Sequence, residues 1–181
     1  MPAPARITVR DVAAGDLREP ALTNVDREDY LAGWELFNRG EYWHAHEAWE
    51  AVWKRHPEPW RLFLEGIIQL AAAYHLLTVK RRFSGMMGNF AKAEEKLRLF
   101  ERVPPDAGMK AGMESEPLVV RANYPGSFLG VDVRALLRGI EAARRETERL
   151  GARNLEEFPT ALLPRVVCAL PSPLRGSSRR P

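Results

Sequence analysis

One segment concentrates the groups that could do chemistry: Tyr42-Trp43-His44-Ala45-His46-Glu47-Ala48-Trp49-Glu50-Ala51-Val52-Trp53. His46 and Glu50 stand four residues apart, the spacing at which one helix face offers two ligands to a divalent cation. Glu47 could then serve as base to a metal-bound water, the arrangement of a metal-assisted hydrolase. The run departs from the H-E-x-x-H of zinc proteases at its second histidine, where Glu50 stands. Such a site needs further ligands, from Glu65, Gln69 or His75. His75 suits poorly, lying about 120° around its helix from Gln69. His44 points about 160° away from His46 and is read as a solvent-facing or end-of-helix residue.

At about 100° per residue, Trp49, Tyr42, Trp53, His46, Glu50 and Trp43 fall across one arc, with Glu47 just beyond it. If the aromatic side chains mark the buried face, His46 and Glu50 face inward with them. Two ionisable groups on an apolar face are costly unless they are paired, hydrogen-bonded or bound to something. Gln69 and His75 likewise interrupt an apolar stretch, and small residues beside Gln69 (Gly66, Ala72, Ala73) permit close helix approach. The expected arrangement sets His46 and Glu50 opposite Gln69 and Glu65, with Trp49 and Trp53 lining the cluster. Two readings stay open. In one, His46, Glu50, Gln69, Trp49 and Trp53 hold a small polar ligand or a divalent metal, with Glu47 moving protons. In the other, the cluster is a satisfied structural network in a non-enzymatic protein-interaction scaffold.

The elements that must position these residues are helices. Asn24 or Asp26 caps a first helix, Val25 to about Arg39, which Gly40 stops. A second runs from Glu41 to about His56, ended by Pro57 and Pro59. A third, nearly all apolar at its centre, runs from Pro59 or Trp60 to Val79, with Lys80-Arg81-Arg82 at its C-terminus. Ser84 caps a fourth, to about Glu101. Asp132 caps a fifth, Val133 to about Leu150. Residues 1–23 read as an irregular arm, and 24–170 as one all-α bundle of about five helices. Residues 106–130 read as a long irregular connection with at most one extended piece, at Leu118-Val119-Val120. Leu162 to Leu170 is apolar enough to pack on the bundle, whereas 171–181 reads as a disordered tail.

Phe37-Asn38-Arg39-Gly40-Glu41-Tyr42, then His46-Glu47-x-Trp49-Glu50-x-x-Trp53, then Gly66-Ile67-Ile68-Gln69-Leu70-Ala71-Ala72, then Gly85 and a helix over Lys92 to Leu97 resemble family 309 of the domains of unknown function. The resemblance covers roughly Tyr30 to Phe100, with a weaker likeness at Gly130-Val131-Asp132-Val133. It implies an all-α bundle and carries no activity.

Composition narrows the chemistry further. The 181 residues hold one cysteine and four histidines, so zinc sites of several thiolates and an internal disulfide framework are excluded. Histidine and carboxylate are left as metal ligands. Cys168, in an apolar stretch without a nucleophile signature, reads as a bland thiol, and a cytoplasmic setting is expected. Neither a secretory signal nor a membrane span is read, because the charge-free run Gly66 to Thr78 is short of the roughly 20 residues needed. The net charge is +3, yet Arg165, Arg175, Arg179 and Arg180 sit in an acid-free C-terminal stretch. The preceding part is therefore near neutral, which argues against nucleic acid. Gly85-Met86-Met87-Gly88 lacks the lysine and preceding strand of a phosphate loop. A protein partner or a second copy of the chain remains the expected kind of partner.

Overall fold

The computed structural model describes residues 7–13, 17–101 and 126–170. Among these, five α-helices and one two-stranded hairpin form the architecture: α1 (Asn24–Asn38), α2 (Tyr42–Arg55), α3 (Arg61–His75), α4 (Phe83–Leu97), β1 (Ser127–Phe128), β2 (Val131–Asp132) and α5 (Val133–Leu150). The fold is all-α, as the helical periodicity requires. Helix α3 packs against both α2 and α4, while α1 covers α2 and α5 covers α4.

The helix ends explain themselves locally. Thr23, one residue earlier than expected, is the cap of α1: its Oγ1 accepts from Asp26 N at 3.1 Å and donates to the Asp26 carboxylate at 2.6 Å. Gly40 takes the left-handed conformation, φ +79°, that lets the chain turn from α1 into α2. Asp132 caps α5 as expected, accepting from Ala135 N at 2.8 Å. Ser84 does not cap α4; Arg82 holds that position, and no side chain there accepts a cap hydrogen bond.

The third helix ends as α-helix at His75, four residues before the expected stop. It then widens into a π-helical turn, Leu76–Lys80, closed by Arg81 at φ +50° and by Arg82 N donating to Leu76 O at 3.0 Å. With this turn, Arg61–Lys80 has the length and apolarity to cross a membrane. That character belongs to the central core helix of the bundle, most of whose residues are buried.

An aromatic cluster fills the space between α1, α2 and α3. Trp34 meets Trp49 edge-on at 4.6 Å and Phe37 at 5.6 Å, and Tyr42 stacks on Tyr74 at 5.3 Å. The fully buried Trp49 donates through Nε1 to Tyr30 O at 3.1 Å and lies directly over Gly33, where a Cβ would fall within its ring. The hairpin (Ser127 opposite Asp132, Phe128 opposite Val131) adds Phe128 to Phe63 and Phe100 at the other end of the core.

Residues 163–170 pack along the bundle. Asn38 Nδ2 donates to Val166 O and its Oδ1 accepts from Val166 N, both at 2.8 Å, while Ala169 N donates to Gly130 O at 2.8 Å. Leu129, at φ +47°, is a meeting point: its N–H donates to the Glu19 carboxylate, and its carbonyl accepts from Tyr30 Oη at 3.0 Å and from Cys168 Sγ at 3.5 Å. Burial pushes the Cys168 thiol up and away from reactivity, in keeping with a bland thiol. The extended piece expected at Leu118–Val120 and the tail expected at 171–181 lie outside the described residues.

Candidate functional site

Most of α3 is buried between its neighbours, but one face is not. Glu65, Ile68, Gln69, Ala72, His75 and Leu76 are half-buried and Val79 is exposed. At about 100° per residue these positions share an arc of about 120°. The arc forms an open stripe along the central helix, with α2 on one side and α4 on the other. Half-buried residues of α2 (His46, Glu50, Trp53) and Lys96 of α4 border it.

Three polar groups on or beside the stripe are tied across a helix boundary. His46 directs Nδ1 to Ile68 O at 3.4 Å, which favours a proton on Nδ1 and leaves Nε2 as the acceptor. The indole of Trp53 donates to Glu65 Oε1 at 3.0 Å, and Lys96 Nζ donates to Gln69 Oε1 at 3.1 Å. At one end, Trp43 is 49% exposed and lies parallel to the His46 ring at 5.2 Å, with His75 on it at 5.6 Å. His75 is held below its ordinary value, first by burial and then by the charges of Lys80 and His46. At the other end Arg61 is 5% exposed, its guanidinium 4.5 Å over the Trp53 ring and its Nε 3.7 Å from Glu65 Oε1.

The expected compact cluster is not what these residues build. Glu50, placed inward beside His46 by the helical arc, is 39% exposed and pairs with Lys54 at 3.1 Å. The arc misleads because Trp43, counted as a buried-face marker, is itself half-exposed. Gln69 turns to α4 rather than to His46, so only Glu65 faces α2 as expected. Glu47 is exposed on the outside of α2. Trp49 is core, its indole proton used by Tyr30 O. His44 faces solvent as expected, 3.7 Å from Glu41. His75, which the sequence reading set about 120° around α3 from Gln69, touches the same indole as His46. Among the described residues, no group of three or more His, Cys, Asp or Glu side chains is arranged to hold a metal ion.

The sequence reading missed two groups. Arg61 is one, and a signal for it existed. A cation in the first turn of a helix opposes the helix dipole, and here a Glu follows four residues later. The second ties α1 to the end of α2: buried Asp26 accepts from Arg55 Nε at 2.7 Å, Arg55 Nη2 reaches Asp29 at 2.7 Å, and His56 Nε2 lies 3.2 Å from Asp26. Burial pushes the Asp26 carboxyl up, but Thr23, Arg55 and His56 together hold it below its ordinary value. This group reads as a clamp between helices.

The geometry is that of an all-α bundle with a polar stripe along its central helix. Residues 30–88, about a third of the chain, match the family described as Domain of unknown function (DUF309). The match begins at Tyr30, as the motifs implied, and takes in the segments from Phe37 to Gly85, so the chain resembles that family from α1 into α4. No curated protein and no solved structure matches the chain.

Proposed function

We propose that this protein is a non-enzymatic binding protein whose stripe along α3 receives a small polar ligand, held by His46, Gln69 and Trp53 in a cytoplasmic setting. The observation that carries this reading is the orientation of the stripe's polar groups. His46, Glu65 and Gln69 are half-open to solvent yet held by cross-helix hydrogen bonds, the pre-organisation that binding sites need. Catalysis is less well supported, because Glu47 stands off the stripe and the Glu50 charge is already balanced by Lys54. A second reading, docking of a protein segment, draws on Trp43 and on Val79, which is 58% exposed near the same end.

The test is a thermal-shift panel of carboxylates, phosphates and amines, run on wild type and on a His46→Ala/Gln69→Ala variant. A compound that stabilises wild type by several degrees and leaves the variant unmoved supports the reading. Equal responses for every compound overturn it. Stoichiometric divalent metal in untagged protein, lost from a His46→Ala/Glu50→Ala variant, would restore the metal-assisted alternative.

A further inference from the structure

Among the described residues, Arg61 is a buried cation whose guanidinium makes no hydrogen bond. Its side chain is 6% exposed and its Nε is buried without a hydrogen-bond partner. Its one ionic neighbour there, Glu65 Oε1, is 3.7 Å from Nε and already accepts the Trp53 indole proton. A charge so placed is expensive unless its donors are met. Stacking on Trp53 answers only part of that need. The contact places Cζ 4.5 Å from the ring centroid, and an aromatic face attracts the charge without accepting the donors as an oxygen would. The position also opposes the dipole of α3, whose positive end is here. Two donors in a fixed fork beside a positive helix end suit a planar or tetrahedral oxyanion gripped at two points.

We propose that Arg61, set over Trp53, is an oxyanion receptor at the N-terminal end of the α3 stripe, recognising a carboxylate or phosphate group of the bound molecule. This rests on the reading of the stripe as a ligand site and adds the charge its ligand carries. Glu65 is then a tuning residue: it offsets the Arg61 charge in the empty site and competes with the incoming anion.

The experiment uses the full chain labelled with ¹⁵N-arginine and follows the Arg61 Nε–H signal, assigned with Arg61→Gln. Sodium acetate and inorganic phosphate are titrated separately against sodium chloride at constant ionic strength, so the two arms separate carboxylate from phosphate. The expected result is a saturable shift at Arg61 with one or both anions, none with chloride, and only linear drift at exposed arginines such as Arg39. Glu65→Gln should tighten binding by about fivefold, the effect of removing a partly screened negative charge close to the anion. An Arg61 signal that drifts like Arg39, or an affinity unchanged in Glu65→Gln, overturns the receptor, and the second criterion holds even if Arg61→Gln fails to fold. If a panel compound stabilises wild type through His46 and Gln69 while Arg61 stays silent, the receptor alone is refuted. If no compound does so, the stripe reading fails as well.

Discussion

Replacing Gly33 with alanine separates two opposite expectations. Gly33 lies within α1, where glycine costs a helix about 1 kcal/mol relative to alanine, so helix propensity alone predicts that Gly33→Ala stabilises by that amount. The packing predicts the reverse. A Cβ at this position would lie 2.1 Å from Trp49 Nε1, 2.5 Å from Cε2 and 2.6 Å from Cδ1. The indole has nowhere to go, with Trp34 4.6 Å away and Phe37 5.8 Å away, centroid to centroid. To recover ordinary contact it must retreat by about 1.3 Å or more, which also pulls Nε1 from Tyr30 O. Overpacking costs about 1–3 kcal/mol, and a buried indole proton left without its acceptor costs about 1–3 kcal/mol more. Set against the propensity gain, the net loss is about 1–5 kcal/mol, a fall of roughly 2–20 °C in Tm for a protein of this size. Urea unfolding followed by circular dichroism measures it, and Trp49→Phe in the Gly33→Ala background should cost less than Trp49→Phe alone. A neutral or stabilising Gly33→Ala would refute the placement of Trp49 on α1.

Three further outcomes follow. Asp26→Asn should lower stability at neutral pH by about 2–3 kcal/mol, less than the loss of a fully buried pair because Arg55 is 40% exposed. Because the folded-state pKa of Asp26 is depressed, wild type should shed this contribution as pH falls below 3.8 and through the folded-state value, and the Asp26→Asn variant should show a shallower acid limb. Glu50→Gln should cost under ~0.5 kcal/mol, as expected for a surface pair one turn apart; a loss of several kcal/mol in a denaturation curve would place Glu50 back in a buried cluster. The imidazole of His75 should titrate below 6.5 by NMR, and Lys80→Met should raise it only part of the way, because burial is the larger cause. Stability linked to this group should therefore fall as pH drops below 6.5, where the unfolded chain takes up the proton first.

Helices were legible because their signals are local. Gly40 and Asp132 act where their side chains and backbone freedom dictate, and prolines 57 and 59 end α2 whatever the rest of the chain does. The placement of Glu50 was not legible. A helical arc gives angles but not the width of the buried sector, and that width is set by how far α3 and α1 overlap α2. Gln69 was misassigned for a related reason: α3 has a neighbour on each side, and angular position along one helix does not say which neighbour takes a given residue. Arg61 could have been found from its conflict with the helix dipole. Its stacking on Trp53 depends on the turn through Pro57 and Pro59, which no periodicity encodes.

The backbone of the single residue Leu129 also bears on the order in which the molecule assembles. Contacts among α1, α2, α3 and α4 join successive helices, so each can dock as it emerges during synthesis. Leu129 instead gathers Glu19, Tyr30 and Cys168, positions separated by most of the chain. Its carbonyl gains its thiol donor only after residue 168 has been made, and Gly130 gains Ala169 one residue later. The helical layer can thus form early, whereas the seam along β1, β2 and the C-terminal segment closes last. A nascent chain stopped at about residue 160 would expose that seam, making it the vulnerable surface of the unfinished protein.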